Sequence, residues 1–177
     1  MTDSDGLEPR IAWGLTGAGH FLSSSIKMLL TMQKVDIFLS KAAKEVLMYY
    51  DLFDRLKASG HSIYFDESAS CLPVSKLYTG KYDLVVIAPV TSNTIAKMAH
   101  GIADNLISNL FAHAGKCRVP TILLPCDWRA EIQSTTPQGR MVSVFVRAVD
   151  RENIACLANW DMVTLVNSPG ELMRHLK

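Results

Sequence analysis

The chain predicts a doubly wound α/β fold: one domain with a mostly parallel, Rossmann-like (flavodoxin-like) sheet flanked by helices. Three observations predict it. Strand-sized apolar runs alternate with amphipathic segments at helical spacing. The strongest run, Leu84 to Ala88, is uniformly apolar, the pattern of a parallel strand buried on both faces. Its polar exit runs straight into a helix, as strand exits do in such sheets.

The elements follow in order. Ile11 to Leu15 reads as the first strand. Phe21 to Met32 follows, with Phe21, Leu22, Ser25, Ile26, Leu29 and Leu30 recurring at helical spacing. Val35 to Leu39 is a second strand and Ala42 to Tyr50 a second helix. Residues 61–80 are less regular, with a short strand at Ile63-Tyr64-Phe65. After Leu84 to Ala88, Thr94 to Gly101 and Ala103 to Ala114 read as helices. Thr121 to Leu124 is a strand bracketed by Pro120 and Pro125. Met141 to Leu157 reads as helical and Met162 to Val166 as a last short strand. Ser168-Pro169 then opens a final helix with Pro in its first turn.

Composition narrows the function classes. With 177 residues, 49% of them hydrophobic, the chain is long enough for one well-filled core. A formal net charge of +1 leaves no basic excess to hold nucleic acid. The apolar runs fall far short of the roughly 20 residues of a membrane span. The polar, acidic start, residues 1–8, reads as a disordered tail rather than a targeting signal, so a cytoplasmic protein is expected. Residues 9–177 form the expected domain. Cys71, Cys117, Cys126 and Cys156 are widely spaced with no C-x-x-C pair, which argues against a disulfide framework. His100 and Asp104 stand four apart without a third ligand in register, so no metal is expected.

Ligands of doubly wound sheets bind outside the carboxyl ends of the strands. That rule puts Thr16 to His20, Ser40-Lys41, Ala88 to Thr94 and Pro125 to Trp128 on one rim. Gly14-Leu15-Thr16-Gly17-Ala18-Gly19-His20 opens a helix with small residues that let backbone N–H groups approach an anion. Its spacing is neither G-x-G-x-x-G nor the P-loop, and the second strand ends in Ser40-Lys41 rather than an acid. A dinucleotide and a nucleoside triphosphate are therefore disfavoured. Thr91-Ser92-Asn93-Thr94 places hydroxyls and an amide where helix N–H groups are unpaired, which suits a polyhydroxylated phosphate ligand such as flavin mononucleotide (FMN).

At these two motifs the chain resembles the flavin-containing cysteine decarboxylase superfamily, whose members bind FMN in homo-oligomers. Gly14 to Gly19 matches that family's first loop, and Pro89-Val90-Thr91-Ser92-Asn93-Thr94 its Pro-Ala-Ser/Thr-Ala-Asn-Thr motif. The match continues from Ile95 through Leu106. The decarboxylases' substrate-clamp motif is replaced by Pro125-Cys126-Asp127-Trp128-Arg129, and their catalytic-cysteine loop has no counterpart. Prenylated-flavin synthases carry Ser-Met-Lys-Thr where this chain has Thr91 to Thr94. Ala12 to His20 and Phe38 to Ala43 resemble the archaeoflavoprotein and archaeal-type dihydromethanopterin reductase branch.

The resemblance implies a reductase that converts dihydromethanopterin, or a related dihydropterin, to the tetrahydro form by hydride transfer through FMN, in a ping-pong cycle. Its setting would be one-carbon metabolism. The electron donor would be reduced flavin, NAD(P)H or ferredoxin, and the assembly a homo-oligomer built on trimers. An electron carrier accepting from ferredoxin is the rival reading, and a phosphopantothenoylcysteine decarboxylase a third. By the same carry-over, Thr16, Gly17, Ala18, Ser40, Ala88, Thr91, Ser92, Asn93, Thr94 and Cys126 are the cofactor residues.

A pterin imine needs a proton as well as a hydride, and His20, Asp127 and ordered water are candidate donors. His20 has the alternative role of capping a helix or touching phosphate, and Asp127 those of binding the pterin or completing a turn. Trp128 is a candidate to stack on a planar ring, flavin or pterin, or else an exposed Trp near an oligomer interface. Gln133 to Arg140 is either a flap over the site or a plain surface loop, and as a flap it brings Arg140, with Arg129, to the acceptor.

Overall fold

The computed structural model describes residues 9–67, 71–136 and 138–177; the expected disordered tail, residues 1–8, lies outside them. Six strands form one sheet, and all of its neighbours run parallel. They are β1 (Ile11–Leu15), β2 (Val35–Leu39), β3 (Ser62–Phe65), β4 (Leu84–Val90), β5 (Thr121–Pro125) and β8 (Val163–Leu165), in the order β3-β2-β1-β4-β5-β8. β6 (Glu131–Thr135) and β7 (Met141–Phe145) pair separately as an antiparallel ribbon.

The alternation of side chains along each strand splits the core in two. Trp13, Leu15, Ile37, Leu39, Val86 and Leu124 face α1 (Leu22–Leu29), α2 (Lys41–Tyr49), α3 (Phe53–Lys57) and α7 (Pro169–His175). Ala12, Phe38, Val85, Ile87 and Leu123 face α4 (Ser92–Ala99), α5 (Leu106–Lys116) and α6 (Ala148–Leu157). Helices thus cover both faces, the doubly wound arrangement expected. Full burial of each large apolar side chain contributes about 1.5–3 kcal/mol.

The order reverses between β1 and β4, which lead to helices on opposite faces. That switch opens a crevice at their carboxyl ends. The exits of β1 and β4 line it.

One expectation fails. Met141 to Leu157 is not a single helix: Met141–Phe145 is β7, and α6 starts only at Ala148. Val142, Val144 and Phe145 favour extended backbone, and Met141–Phe145 pairs with Glu131–Thr135, whose polar composition hides its strand character. The stretch expected to be a flap or a plain loop, Gln133 to Arg140, is therefore mostly one arm and the turn of this ribbon. Within it Pro137 lies outside the described residues. α3 and a 3-10 segment at Leu72–Leu77 are additional elements.

Candidate functional site

Two helix N-termini flank the β1 exit. α2 begins after Ser40, whose hydroxyl accepts from the Ala43 amide at 3.0 Å. α4 begins after Thr91, whose hydroxyl accepts from the Thr94 amide at 3.3 Å. Each cap satisfies the third amide of its helix and leaves the first two unpaired by helix geometry: Lys41 and Ala42 in α2, Ser92 and Asn93 in α4. Both N-termini therefore present N–H groups and the positive end of a dipole to the strip Thr16-Gly17-Ala18. α1 opens the same rim without a side-chain cap, from Phe21 in the left-handed region at φ 64°.

The strip is tightly fastened. The Thr16 hydroxyl donates to the Pro89 carbonyl at 2.9 Å and accepts from the Thr91 amide at 2.9 Å, and the Thr16 amide reaches the same carbonyl at 3.3 Å. One buried side chain thus bolts the β1 exit to the β4 exit. Gly17 lies against α2 so closely that a Cβ there would stand 2.6 Å from the Ala42 Cβ. Only glycine lets the loop come this near.

The remaining expected cofactor residues divide by what they already touch. Thr94 is buried with its hydroxyl 3.0 Å from that of Thr91. Ser92 donates to the Asp127 carboxylate. Asn93 is exposed and has no side-chain partner among the described residues. Ala18 is buried at the rim. Ala88 is fully buried within β4, and its carbonyl accepts from the Trp13 indole N–H at 2.8 Å. It offers a ligand no surface.

Beside this cradle, beyond the β5 exit, lies a cleft of about 440 Å³, within the range of small-molecule sites. His20, Phe21, Cys126 and Trp128 contribute to it from the sheet side. Glu131, Ile132 and Gln133 line it from the ribbon, and Asn167 and Ser168 from the β8–α7 turn. The structure thus brings His20, Cys126, Trp128 and Arg129 to one cleft. Asp127 is turned to Ser92, and Arg140 lies on the ribbon turn; neither lines the cleft.

Electrostatics separate the two side-chain proton-donor candidates. Burial lowers the His20 imidazole below its ordinary value, and the Asp127 charge only partly offsets this, so His20 is neutral near pH 7. Burial, reinforced by Asp127, holds the Cys126 thiol far above its usual range. A thiol this strongly protonated is no nucleophile. No group of three or more His, Cys, Asp or Glu side chains able to hold a metal occurs among the described residues. Among the same residues, no helix is long and apolar enough to cross a membrane.

Glu131, Gln133, Asn167 and Phe21 were not singled out from the sequence as ligand residues. Glu131 and Gln133 sit in a polar strand without hydrophobic pattern, and Asn167 reads as an ordinary turn residue. The signal that could have found them is the alternation of Glu131, Gln133 and Thr135 along one ribbon face.

A doubly wound sheet with two amide-lined helix N-termini at its switch point, beside an aromatic cleft, defines a binder of phosphorylated heterocycles. Residues 2–175 match the family model described as Flavoprotein, and the chain belongs to that family. It is 35% identical over 170 residues to an uncharacterised protein of Methanocaldococcus jannaschii, covering 92% of this chain and 91% of the other. It is 37% identical over 141 residues to the dihydromethanopterin reductase (acceptor) of Methanosarcina mazei. That match takes in 72% of this chain but spans only 59% of the reductase's length. Burkholderia xenovorans DmrB, solved with FMN and described as a cubic protein cage for redox transfer, superposes with a TM-score of 0.87 at 41% identity. The superposition covers 96% of this chain and 93% of that one.

Proposed function

We propose that this chain is an FMN-dependent reductase that passes hydride to a dihydropterin of the dihydromethanopterin type. The observation that carries the reading is the adjacency of an anion cradle and an aromatic-walled cleft on one rim. The likeness to the Methanosarcina mazei reductase and to FMN-bound DmrB supports both the cofactor and the acceptor.

The residues present fit FMN. Gly17 lets the loop close onto the α2 N-terminus, and the unpaired amides of Lys41, Ala42, Ser92 and Asn93 match a phosphate and polyhydroxyl chain. The Ser92 hydroxyl already serves a carboxylate, and a phosphate placed beside Asp127 would be repelled. The phosphate end therefore belongs between Gly17 and Ser40, and the ring end toward His20 and Cys126. When bound, FMN supplies the hydride chemistry. The chain's part is to orient it, to hold the acceptor in the cleft between Phe21 and Trp128, and to admit one proton. Neutral His20 relays that proton from solvent, and Asp127, kept in place by Ser92, sets the local charge.

A homo-oligomer built on trimers belongs to the same proposal. Met141, Val144, Phe145 and Val149 stand exposed on the ribbon and the start of α6, Phe145 at 75%. Met141 and Phe145 share one ribbon face by register, with Val144 on the other, and exposed apolar side chains of this kind suit association surfaces. The electron donor is reduced flavin, NAD(P)H or ferredoxin.

The test is direct. Purified protein should show an oxidised-flavin spectrum and release a flavin of FMN mass. After chemical reduction under anaerobic conditions, dihydromethanopterin should reoxidise it with formation of the tetrahydro product. Reoxidation by one-electron acceptors alone would instead favour the ferredoxin-linked carrier.

A further inference from the structure

The acceptor cleft contains a carboxylate that nothing in the protein uses. Glu131 opens β6 and lines the cleft, and among the described residues its side chain has no hydrogen bond and no ion pair. The neighbouring polar groups are differently placed. Asp127 is engaged by Ser92 and is not among the lining side chains, and the Gln133 amide donates to the Ser143 hydroxyl at 2.6 Å. Ser168 caps α7 by accepting from the Glu171 amide at 3.2 Å. Asn167 uses its backbone amide on Glu171, which leaves its side-chain carboxamide unengaged at the cleft.

What remains is the exposed Glu131 carboxylate with two acceptor oxygens, the Arg129 guanidinium and the His20 imidazole, neither with a hydrogen bond or ion pair of its side chain among the described residues, one carboxamide that both donates and accepts, and the apolar walls of Phe21, Trp128 and Ile132. The aromatic walls take a planar ring by its faces. A carboxylate without a cation of its own takes paired N–H donors, as Asp and Glu take the exocyclic amines of bases. A 2-amino-4-oxopyrimidine ring offers that pair side by side: the exocyclic amine and the adjacent ring N–H.

We propose that Glu131 reads the amino-lactam edge of the acceptor heterocycle and so selects pterins over their 2-oxo counterparts. The inference rests on the reductase reading for the identity of the acceptor and moves the recognition role from Asp127 to the ribbon. Asn167 completes the contact from the β8–α7 turn.

The experiment uses FMN-loaded protein. Pterin and lumazine, which differ in carrying an amine or an oxygen at position 2, are titrated against the oxidised protein and followed through the visible flavin spectrum. Wild type should bind pterin at least tenfold more tightly than lumazine. Glu131→Gln should lose that preference, because its carboxamide can donate to the 2-oxo group, while binding FMN as wild type does. Equal binding of both rings by wild type, or an unchanged preference in Glu131→Gln, overturns the assignment. Turnover with dihydropterin is measured separately. Wild type that prefers pterin yet never delivers hydride to the dihydro form leaves the Glu131 contact standing and removes the reductase reading.

Discussion

The β1–β4 rim and the β6–β7 ribbon face one another across the site and are built on opposite terms. At the rim the hydroxyls are matched within the protein, Thr16 to Pro89 and Thr91, Thr91 to Thr94, Ser40 to Ala43 and Ser92 to Asp127, and hold the open first amides of α2 and α4 in place. On the ribbon Glu131, Thr135, Met141, Ser143 and Phe145 are exposed along one face, and its attachments to α2 are few. The Tyr50 hydroxyl donates to the Thr135 carbonyl at 3.0 Å, and the Gln138 amide donates to the Tyr49 hydroxyl at 2.9 Å. A two-stranded ribbon alone is marginally stable, so those tyrosines matter to where it lies. The contrast teaches that the cofactor half is organised before any ligand arrives, whereas the acceptor half keeps its side chains available.

Replacements at the rim should therefore weaken cofactor binding, and replacements on the ribbon should not. The largest effect is expected at Gly17→Val. Its Cβ falls 2.6 Å from that of Ala42, and the overpacking costs about 1–3 kcal/mol. FMN affinity, followed by quenching of flavin fluorescence, should drop about tenfold or more. Thr16→Val comes next. It leaves the Thr91 amide without its buried partner and the Pro89 carbonyl with only the Thr16 amide, at about 1–3 kcal/mol. The urea midpoint should fall and FMN binding weaken, and Thr16→Ser should restore both. Equal FMN affinity in Thr16→Val and wild type would break the contrast.

Protonation of His20 sharpens it further. Its folded-state value lies below the unfolded one, so between the two the unfolded chain binds more protons. Stability of the FMN-free protein should thus be full above the ordinary imidazole value and decline as pH falls below it. In His20→Gln this part of the pH dependence should vanish, as thermal melts across pH 5–8 would register. The smallest effect is expected at Tyr50→Phe. The loss of one hydrogen bond to the ribbon, about 0.5–1.5 kcal/mol, should speed proteolysis within 131–145 and leave FMN affinity within twofold of wild type.

Strands buried on both faces were the most legible elements. Ile11 to Leu15 carries an apolar run and Val35 to Leu39 one broken only by Asp36, and the structure has the same bounds. Helix ends shifted by a few residues because a cap is a matter of backbone geometry; the first helix stops at Leu29 rather than Met32. β6 was illegible since neither of its faces is deeply buried, and Met141 to Phe145 merged with the helical pattern that follows. At the rim the residues stood out, but their division of labour did not. That a hydroxyl such as that of Thr16 holds another loop rather than meeting solvent depends on contacts about 75 positions apart in the chain.

Trp13 gives the rim a reporter of its own. Its indole, wholly buried and bonded to the Ala88 carbonyl, lies at the base of the strand that leads to the cofactor loop, whereas Trp128 stands partly exposed at the acceptor cleft. Emission from the first should be blue-shifted and insensitive to added quenchers, and that from the second red-shifted and readily quenched. With Trp160→Phe removing the third tryptophan, 40% exposed beyond α6, two spectral populations would then follow the two halves of the site separately, without a label.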